Sequence, residues 1–316
     1  MRNLDLRSGN KMDINAPDFA QSFKKENAVV GIIGQGFVGT AMKDYFDHHE
    51  IPVIAYDKYK PTSFGLDDVI KKADIIFVCV PTPMRPTGEC YTGIVEDVFS
   101  DIECMSREVG RPTDTFVLCL KSTVPPGFTD KMKARYPHMR ITFSPEFLME
   151  KTASKDMLTA NRILCGGAPE DTAVVLQFFL TADQRRVDEG KVLLIHCPAK
   201  SAEMTKLMTN GLLFTKVLFC NEIHQLCDKL GISYSEVRWL AVLDNRIGAS
   251  HTQVPGPDGF LGAGGHCFPK DMHNLAFVAA QQGLQERMFT TVLERNNDLR
   301  EEKDWEKMGD RAVTEK

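Results

Sequence analysis

The sequence predicts an α/β chain in which a doubly wound parallel sheet is followed by an all-α domain. Three observations carry this expectation. Short, wholly apolar runs alternate with helical stretches over the first two thirds, as in strands buried on both faces of a parallel sheet. A glycine-spaced turn, Gly34-Gln35-Gly36-Phe37-Val38-Gly39, joins the first such run to a helical stretch. Beyond Pro198 the strand-like runs stop and a proline-free helical periodicity begins. The chain of 316 residues is therefore divided into a tail, 1–26, a sheet domain, 27–197, and a helical domain, 198–316.

The tail is polar and aperiodic and is expected to be flexible. Strands are expected at 28–33, 53–56, 74–80, 116–120, 140–143, 162–165 and 192–195, where apolar and β-branched residues cluster between turn-forming ones. Thr40 to Phe46 continues the glycine turn as a helix. A long helix is expected over Ala199 to Leu230, with others over Tyr234 to Leu243, Met272 to Gln282 and Phe289 to Glu306. The segment Gly262-Ala263-Gly264-Gly265-His266-Cys267 is read as a loop.

Composition removes several function classes. A net charge of −5 with no dense Lys/Arg block gives no general attraction to nucleic acid. No apolar run approaches a membrane span, and the first residues lack the apolar centre of a signal peptide. Nine cysteines without CxxC spacing, mostly set in apolar segments, read as reduced thiols of a cytoplasmic protein rather than as a zinc cluster.

The glycine turn follows a strand and opens a helix, the setting in which this spacing binds a dinucleotide. The first glycine permits the tight turn, the second lets a pyrophosphate approach, and the third lets helix and strand pack. The helix N-terminus offers unpaired N–H groups to the phosphates. Asp57 ends the second strand, where an acid binds the ribose hydroxyls of NAD and repels a 2′-phosphate. Thr82 and Thr123 lie just past the carboxyl ends of further strands, the edge at which open sheets bind ligands. Cys267 follows a run of glycines, with Lys270 and Asp271 three and four residues on. Glycines allow close backbone approach, and a nearby cation favours a nucleophilic thiolate. A dinucleotide site together with such a cysteine points to oxidation through a covalent thiol adduct.

These motifs form a set. With Val80-Pro-Thr-Pro83, Lys121-Ser-Thr-Val-Pro125, Ser144-Pro-Glu-Phe-Leu-Met-Glu150, Ala202-Glu-Met-Thr-Lys206-Leu-Met-Thr-Asn210 and Asn245-Arg-Ile-Gly248, the chain resembles the UDP-glucose/GDP-mannose dehydrogenase family over residues 28 to about 300. The resemblance implies a Rossmann domain followed by a helical domain of the 6-phosphogluconate dehydrogenase C-terminal-like type. It implies a sugar-nucleotide substrate oxidised from primary alcohol to acid with two NAD⁺, through a thiohemiacetal and a thioester on Cys267.

The resemblance also implies site roles. Lys206 and Asn210, four apart on one helical face, stabilise the substrate oxygen. Asp271 holds a water or assists proton transfer. Thr123 and Glu146 position the hydrolytic water, and Glu150 lies near nicotinamide and substrate. Lys270 contacts the cofactor, and Thr82 and Thr123 line its site. Phe147, Leu148 and Gly264 belong to the substrate site, and Arg246 reaches the substrate of a neighbouring subunit, so a homodimer is expected.

Departures from the family pattern accompany it. His266 stands where relatives usually carry serine, Ala263 where an aromatic is common, and Thr62 where a basic residue is frequent. Relatives continue into a third, nucleotide-binding domain, whereas this sequence stops after the stretch read as the connecting helix. A separate chain supplying that domain, a smaller substrate, or a fragment are the readings left open. Two other functions remain in view: a single-step dehydrogenase of the β-hydroxyacid type, against which Cys267 argues, and a non-catalytic NAD-binding subunit.

Overall fold

The computed structural model describes residues 28–61, 63–285 and 287–315. The expected flexible tail and the departure at Thr62 lie outside them. In order, the elements are β1 (Val30–Ile33), α1 (Phe37–His48), β2 (Val53–Tyr56), α2 (Leu66–Lys72), β3 (Ile75–Val78), α3 (Gly93–Val109), β4 (Val117–Leu120), α4 (Phe128–Arg135) and β5 (Arg140–Phe143). There follow α5 (Ala153–Leu158), β6 (Arg162–Gly167), α6 (Pro169–Ala182), α7 (Gln184–Asp188), β7 (Leu193–Cys197), α8 (Ala199–Leu230), α9 (Tyr234–Ala241), α10 (Cys267–Gln281) and α11 (Arg287–Leu299). The chain groups into two compact units. Among the described residues, the first holds those of 28–80, 95–122 and 126–203; the second holds those of 81–94, 123–125 and 204–315. The segments carrying Thr82 and Thr123 thus group with the helices of the second unit.

The first unit is a seven-stranded sheet in the order β2-β1-β3-β4-β5-β6-β7. The first five strands are parallel, with Val30 opposite both Val53 and Ile75, Ile75 opposite Val117, and Val117 opposite Arg140. β1, β3 and β4 are buried along their whole length, as strands covered by helices on both faces must be. The sheet departs from the all-parallel expectation at one place: β6 runs antiparallel to β5, and β7 is parallel to β6. On one face, Tyr45 and Phe46 of α1 meet Phe77 of β3 and Phe179 of α6, with Phe46 stacked on Phe77 at 5.6 Å. On α3, Phe99 stacks on Tyr136 at 6.1 Å.

The second unit is helical. Its core joins Leu207, Phe214 and Leu218 of α8 to Met272 and Leu275 of α10 and Leu293 of α11. α10 begins five residues before the expected start, at Cys267 itself. Pro269 is its third residue, where a missing N–H costs nothing because first-turn donors have no intrahelical partner. α11 ends at Leu299, short of the expected Glu306, and a 3₁₀ stretch follows from Asp304. All nine cysteines are free. Among the described residues no helix is long and apolar enough to cross a membrane.

Candidate active site

In the first unit, the three glycines of the turn are held by three different constraints. Gly34 has φ +91°, and a Cβ there would lie 2.7 Å from the Cys79 carbonyl oxygen. At Gly39 a Cβ would stand 1.9 Å from the Gly34 carbonyl oxygen, so helix and turn meet backbone to backbone. A Cβ on Gly36 would meet nothing within 4 Å, so its absence there serves no internal packing. Phe37 and Val38 open α1 and pack partly against the sheet core. Asp57, just past β2, accepts from the Gln35 N–H at 2.7 Å and from the Tyr59 N–H at 2.9 Å. Lys60 donates to the Gln35 carbonyl at 2.6 Å, so that cation is directed at the turn's backbone.

Past the ends of β4 and β5, the first unit buries a cation that sequence reasoning did not single out. Lys121 is 3% exposed and donates to Ser144 Oγ at 3.2 Å and the Pro145 carbonyl at 3.3 Å. Beside it, Ser122 Oγ donates to the Val80 carbonyl at 2.6 Å. Glu146 is buried and accepts from the Leu148 N–H at 2.7 Å. The guanidinium of Arg162 lies over the Phe147 ring at 4.1 Å. Glu150 is exposed and begins a 3₁₀ turn. Cys79 lies under this group; burial pushes its thiol up to about 12, although Lys121 pulls the other way.

In the second unit, the Thr123 carbonyl accepts from Thr82 Oγ1 at 2.7 Å and from the buried Cys90 thiol at 3.7 Å. Cys90 is a second residue missed in sequence, since one cysteine within a polar turn carries no distinguishing pattern. Burial pushes its thiol up to about 11, with the positive charge of Lys270 opposing.

The strongest grouping joins α8 to α10. Asp271, 1% exposed, accepts from Asn210 Nδ2 on one oxygen and from Lys270 Nζ on the other, both at 2.6 Å. Lys270 is itself 5% exposed. Burial draws its pKa down, but the charge and hydrogen bond of Asp271 outweigh this and hold it above the ordinary lysine value. Lys206, one turn before Asn210 on α8, is also buried. Cys267 is the first residue of α10 and half-buried, and its Sγ lies 3.4 Å from His266 Nε2. The thiol therefore sits at the positive end of a helix dipole, with a buried cation one turn further on.

The glycines before it are shaped by Arg300. A Cβ on Gly264 would lie 2.0 Å from Arg300 Nη2. Arg300 is fixed there by Asp258 at 2.7 Å, with Asp304 at 3.4 Å. Ala263 donates its N–H to Asn296 at 2.7 Å. Arg246 is exposed and paired with Asp244 at 2.6 Å in the loop after α9. Among the described residues no group of three or more His, Cys, Asp or Glu is arranged to hold a metal ion.

Comparison with known proteins bears on both units. The UDP-glucose/GDP-mannose dehydrogenase family's NAD binding domain profile matches residues 62–181, and its central domain profile matches 200–298. The chain belongs to the UDP-glucose/GDP-mannose dehydrogenase family. The NAD binding domain of the D-isomer specific 2-hydroxyacid dehydrogenases also matches 3–88, across the glycine turn. Among curated relatives, a UDP-glucose 6-dehydrogenase of Bacillus subtilis (strain 168) is 30% identical over 307 residues, covering 85% of this chain and 66% of the relative. That of Pongo abelii is 30% identical, covering 74% of this chain and 48% of the relative. The chain thus spans about half to two thirds of these family members. A UDP-glucose dehydrogenase structure from the archaeon Pyrobaculum islandicum superposes with TM-score 0.74 at 26% identity, covering 87% of this chain and 69% of that one.

Proposed function

We propose that this family member is an NAD⁺-dependent dehydrogenase that oxidises the primary alcohol of a nucleotide sugar, of the UDP-glucose class, to the carboxylic acid. The observation that carries the reading is the Cys267–Lys270–Asp271–Asn210 cluster. It sets a thiol at a helix N-terminus beside a buried ion pair, and a one-step alcohol oxidation has no use for a nucleophilic thiol. The dinucleotide site fits NAD⁺: Gly36 leaves room for a pyrophosphate and Asp57 presents a carboxylate beside the turn. Gly34, Gln35, Gly36, Phe37, Val38, Gly39 and Asp57 would hold the cofactor, with Thr82, Thr123, Glu150 and Lys270 nearer its reactive end. NAD⁺ held there supplies the acceptor for hydride.

The chain's own residues do the rest. Cys267 adds to the aldehyde carbon and later carries the acyl group as a thioester. Lys206 and Asn210 stabilise charge on the substrate oxygen, worth about 3 kcal/mol per donor. Asp271 orients Asn210 and Lys270 and takes part in proton transfer, while Thr123 and Glu146 place the hydrolytic water. Phe147, Leu148, Glu150 and Gly264 border the sugar. A homodimer is part of the proposal. Met204, Met208, Leu212, Phe219, Leu226 and Leu230 are all exposed on α8. Their spacing confines them to about 80° of the helix surface, an apolar stripe suited to a second copy of this chain, and Arg246 would reach the partner's site.

Stoichiometry tests the reading. Purified protein with NAD⁺ and UDP-glucose or GDP-mannose is expected to yield two NADH per acid formed, and Cys267→Ser to abolish acid production. One NADH per substrate, or wild-type acid production by the variant, would refute it in favour of single-step chemistry.

A further inference from the structure

We propose that His266 is a catalytic partner of Cys267, taking the thiol proton to form an imidazolium–thiolate pair. The proposal deepens the reading of Cys267 as nucleophile and rests on it, but its test needs no turnover.

Two further cations face this stretch, and both are already balanced. Lys270, one turn along α10, is paired with Asp271 at 2.6 Å. Arg300, beneath Gly264, is held by Asp258 and Asp304. Asp304 also accepts from the Gly265 N–H at 2.9 Å, which pins the backbone just before His266. Titratable groups on the elements packed here also include the buried Lys206 of α8, the buried Cys90 thiol, near Lys270 and Asp271, and His251, whose ring lies 5.4 Å from that of Phe268. A cation neutralised by its own carboxylate offers a thiolate only a dipole. The imidazole Nε2 instead lies at 3.4 Å from the sulfur itself, within reach of its proton.

The local backbone supports this contact. His266 is the N-cap of α10, in the right-handed helical region (φ −87°, ψ −26°), and its side chain makes no cap hydrogen bond to the helix. The ring is turned instead toward the next residue's thiol. The first-turn N–H groups of α10 add their dipole to the same sulfur. Proton transfer is balanced within the pair: the S–H bond of Cys267 breaks, an Nε2–H bond forms on His266, and the charges created are adjacent. When the thiolate adds to a carbonyl carbon, that proton is available to the oxygen that becomes the hydroxyl. A serine at 266 offers a hydroxyl but no proton acceptor of comparable basicity.

The test is the pH dependence of alkylation at Cys267. The intact protein, without cofactor or substrate, is treated with iodoacetamide from about pH 5 to about pH 9, spanning the ordinary histidine and cysteine values. Labelling of the Cys267 peptide is followed by mass spectrometry, which separates it from the eight other thiols. In the wild type, labelling should already be near its plateau at neutral pH. In His266→Ser and His266→Gln the midpoint should rise by about one pH unit or more, lowering the thiolate fraction by about tenfold at a pH below both midpoints. Circular dichroism of each variant shows whether the fold is retained, and the Gln variant preserves side-chain bulk. Superimposable profiles for wild type and both folded variants would overturn the proposal. So would a wild-type midpoint at the ordinary thiol value. Absence of dehydrogenase turnover would count against the proposed function alone, because this readout involves neither NAD⁺ nor a sugar.

Discussion

Replacing Asp271 by asparagine tests the buried cluster most directly. The carboxylate bonds to Asn210 and Lys270 at 2.6 Å each, and the side chains of the ion pair are only 6% and 1% exposed. Asparagine can keep an oxygen toward one neighbour but cannot balance the charge of Lys270. A cation left buried without its partner costs about 3–5 kcal/mol, because it has lost water and gained nothing in return. With a urea slope of about 3 kcal/mol/M, a loss of 3 kcal/mol lowers the unfolding midpoint by about 1 M. Urea unfolding followed by circular dichroism measures this. The double variant Lys270→Met/Asp271→Leu separates lost charge balance from lost shape, and should regain most of the deficit because no buried charge remains. A midpoint shift under about 0.3 M for Asp271→Asn, roughly 1 kcal/mol, would refute the argument. Lys270 would then be neutral, or neutralised by another group, and the cluster would not be the preorganised pair that the proposed chemistry requires.

Gly36→Ala should leave the fold intact but weaken NAD⁺ binding tenfold or more by calorimetry, whereas Gly39→Ala should disrupt folding, since its Cβ would stand 1.9 Å from a carbonyl oxygen. Asp57 should give NAD⁺ at least a tenfold tighter dissociation constant than NADP⁺, through repulsion of the 2′-phosphate; equal binding would contradict this. Glu203, buried while accepting from Thr129 and the Gly127 N–H, is held above the ordinary carboxylate value by that burial. The folded state then binds more protons than the unfolded one between those two values, so stability falls as pH rises through that window; Glu203→Gln should flatten the slope in urea midpoints measured across it. Leu212→Glu or Phe219→Glu should convert a dimer to monomers in sedimentation without lowering helix content, because both side chains are exposed on one face of α8.

What the sequence disclosed followed from local periodicity. The parallel strands β1, β3 and β4 were legible because fully buried strands leave unbroken apolar runs, and α8 because its bounds coincide with a proline-free stretch. The reversal of β6 was not legible, since the run Arg162-Ile-Leu-Cys165 reads the same in either direction. The start of α10 was missed because Gly-Gly-His and Pro269 both signal a break, although proline is accommodated in a first turn. That error placed Cys267 in a loop and hid its relation to the helix dipole. The spacing of Lys206 and Asn210 put them on one face in advance, but the bond from Asn210 to Asp271 spans 61 residues and is created only by packing. Lys121, Cys90 and Glu203 were overlooked for the same reason, as their significance lies in tertiary partners and in burial.

The same tertiary detail sets Cys267, the proposed nucleophile, apart from thiols whose surroundings oppose ionisation. Cys79, Cys90 and Cys165 are buried, and burial opposes ionisation; their thiols are pushed to about 12, to about 11 and well above the ordinary value respectively. Cys104 is exposed, but the Glu108 carboxylate that accepts its S–H at 3.5 Å also raises its pKa. Cys197, half-buried at the end of β7, is raised by desolvation as well. Access without activation leaves a thiol inert, and so does a polar neighbour without access. Cys267 combines partial exposure with a helix N-terminus, a nearby buried cation and an imidazole nitrogen at 3.4 Å. The helix N-terminus and the imidazole nitrogen favour the charged form of the sulfur, and they converge at the end of a helix whose next turn carries the Lys270–Asp271 pair. In the proposed reaction, a substrate carbonyl brought to this thiol meets a nucleophile and, through Asn210, a donor already oriented by that pair.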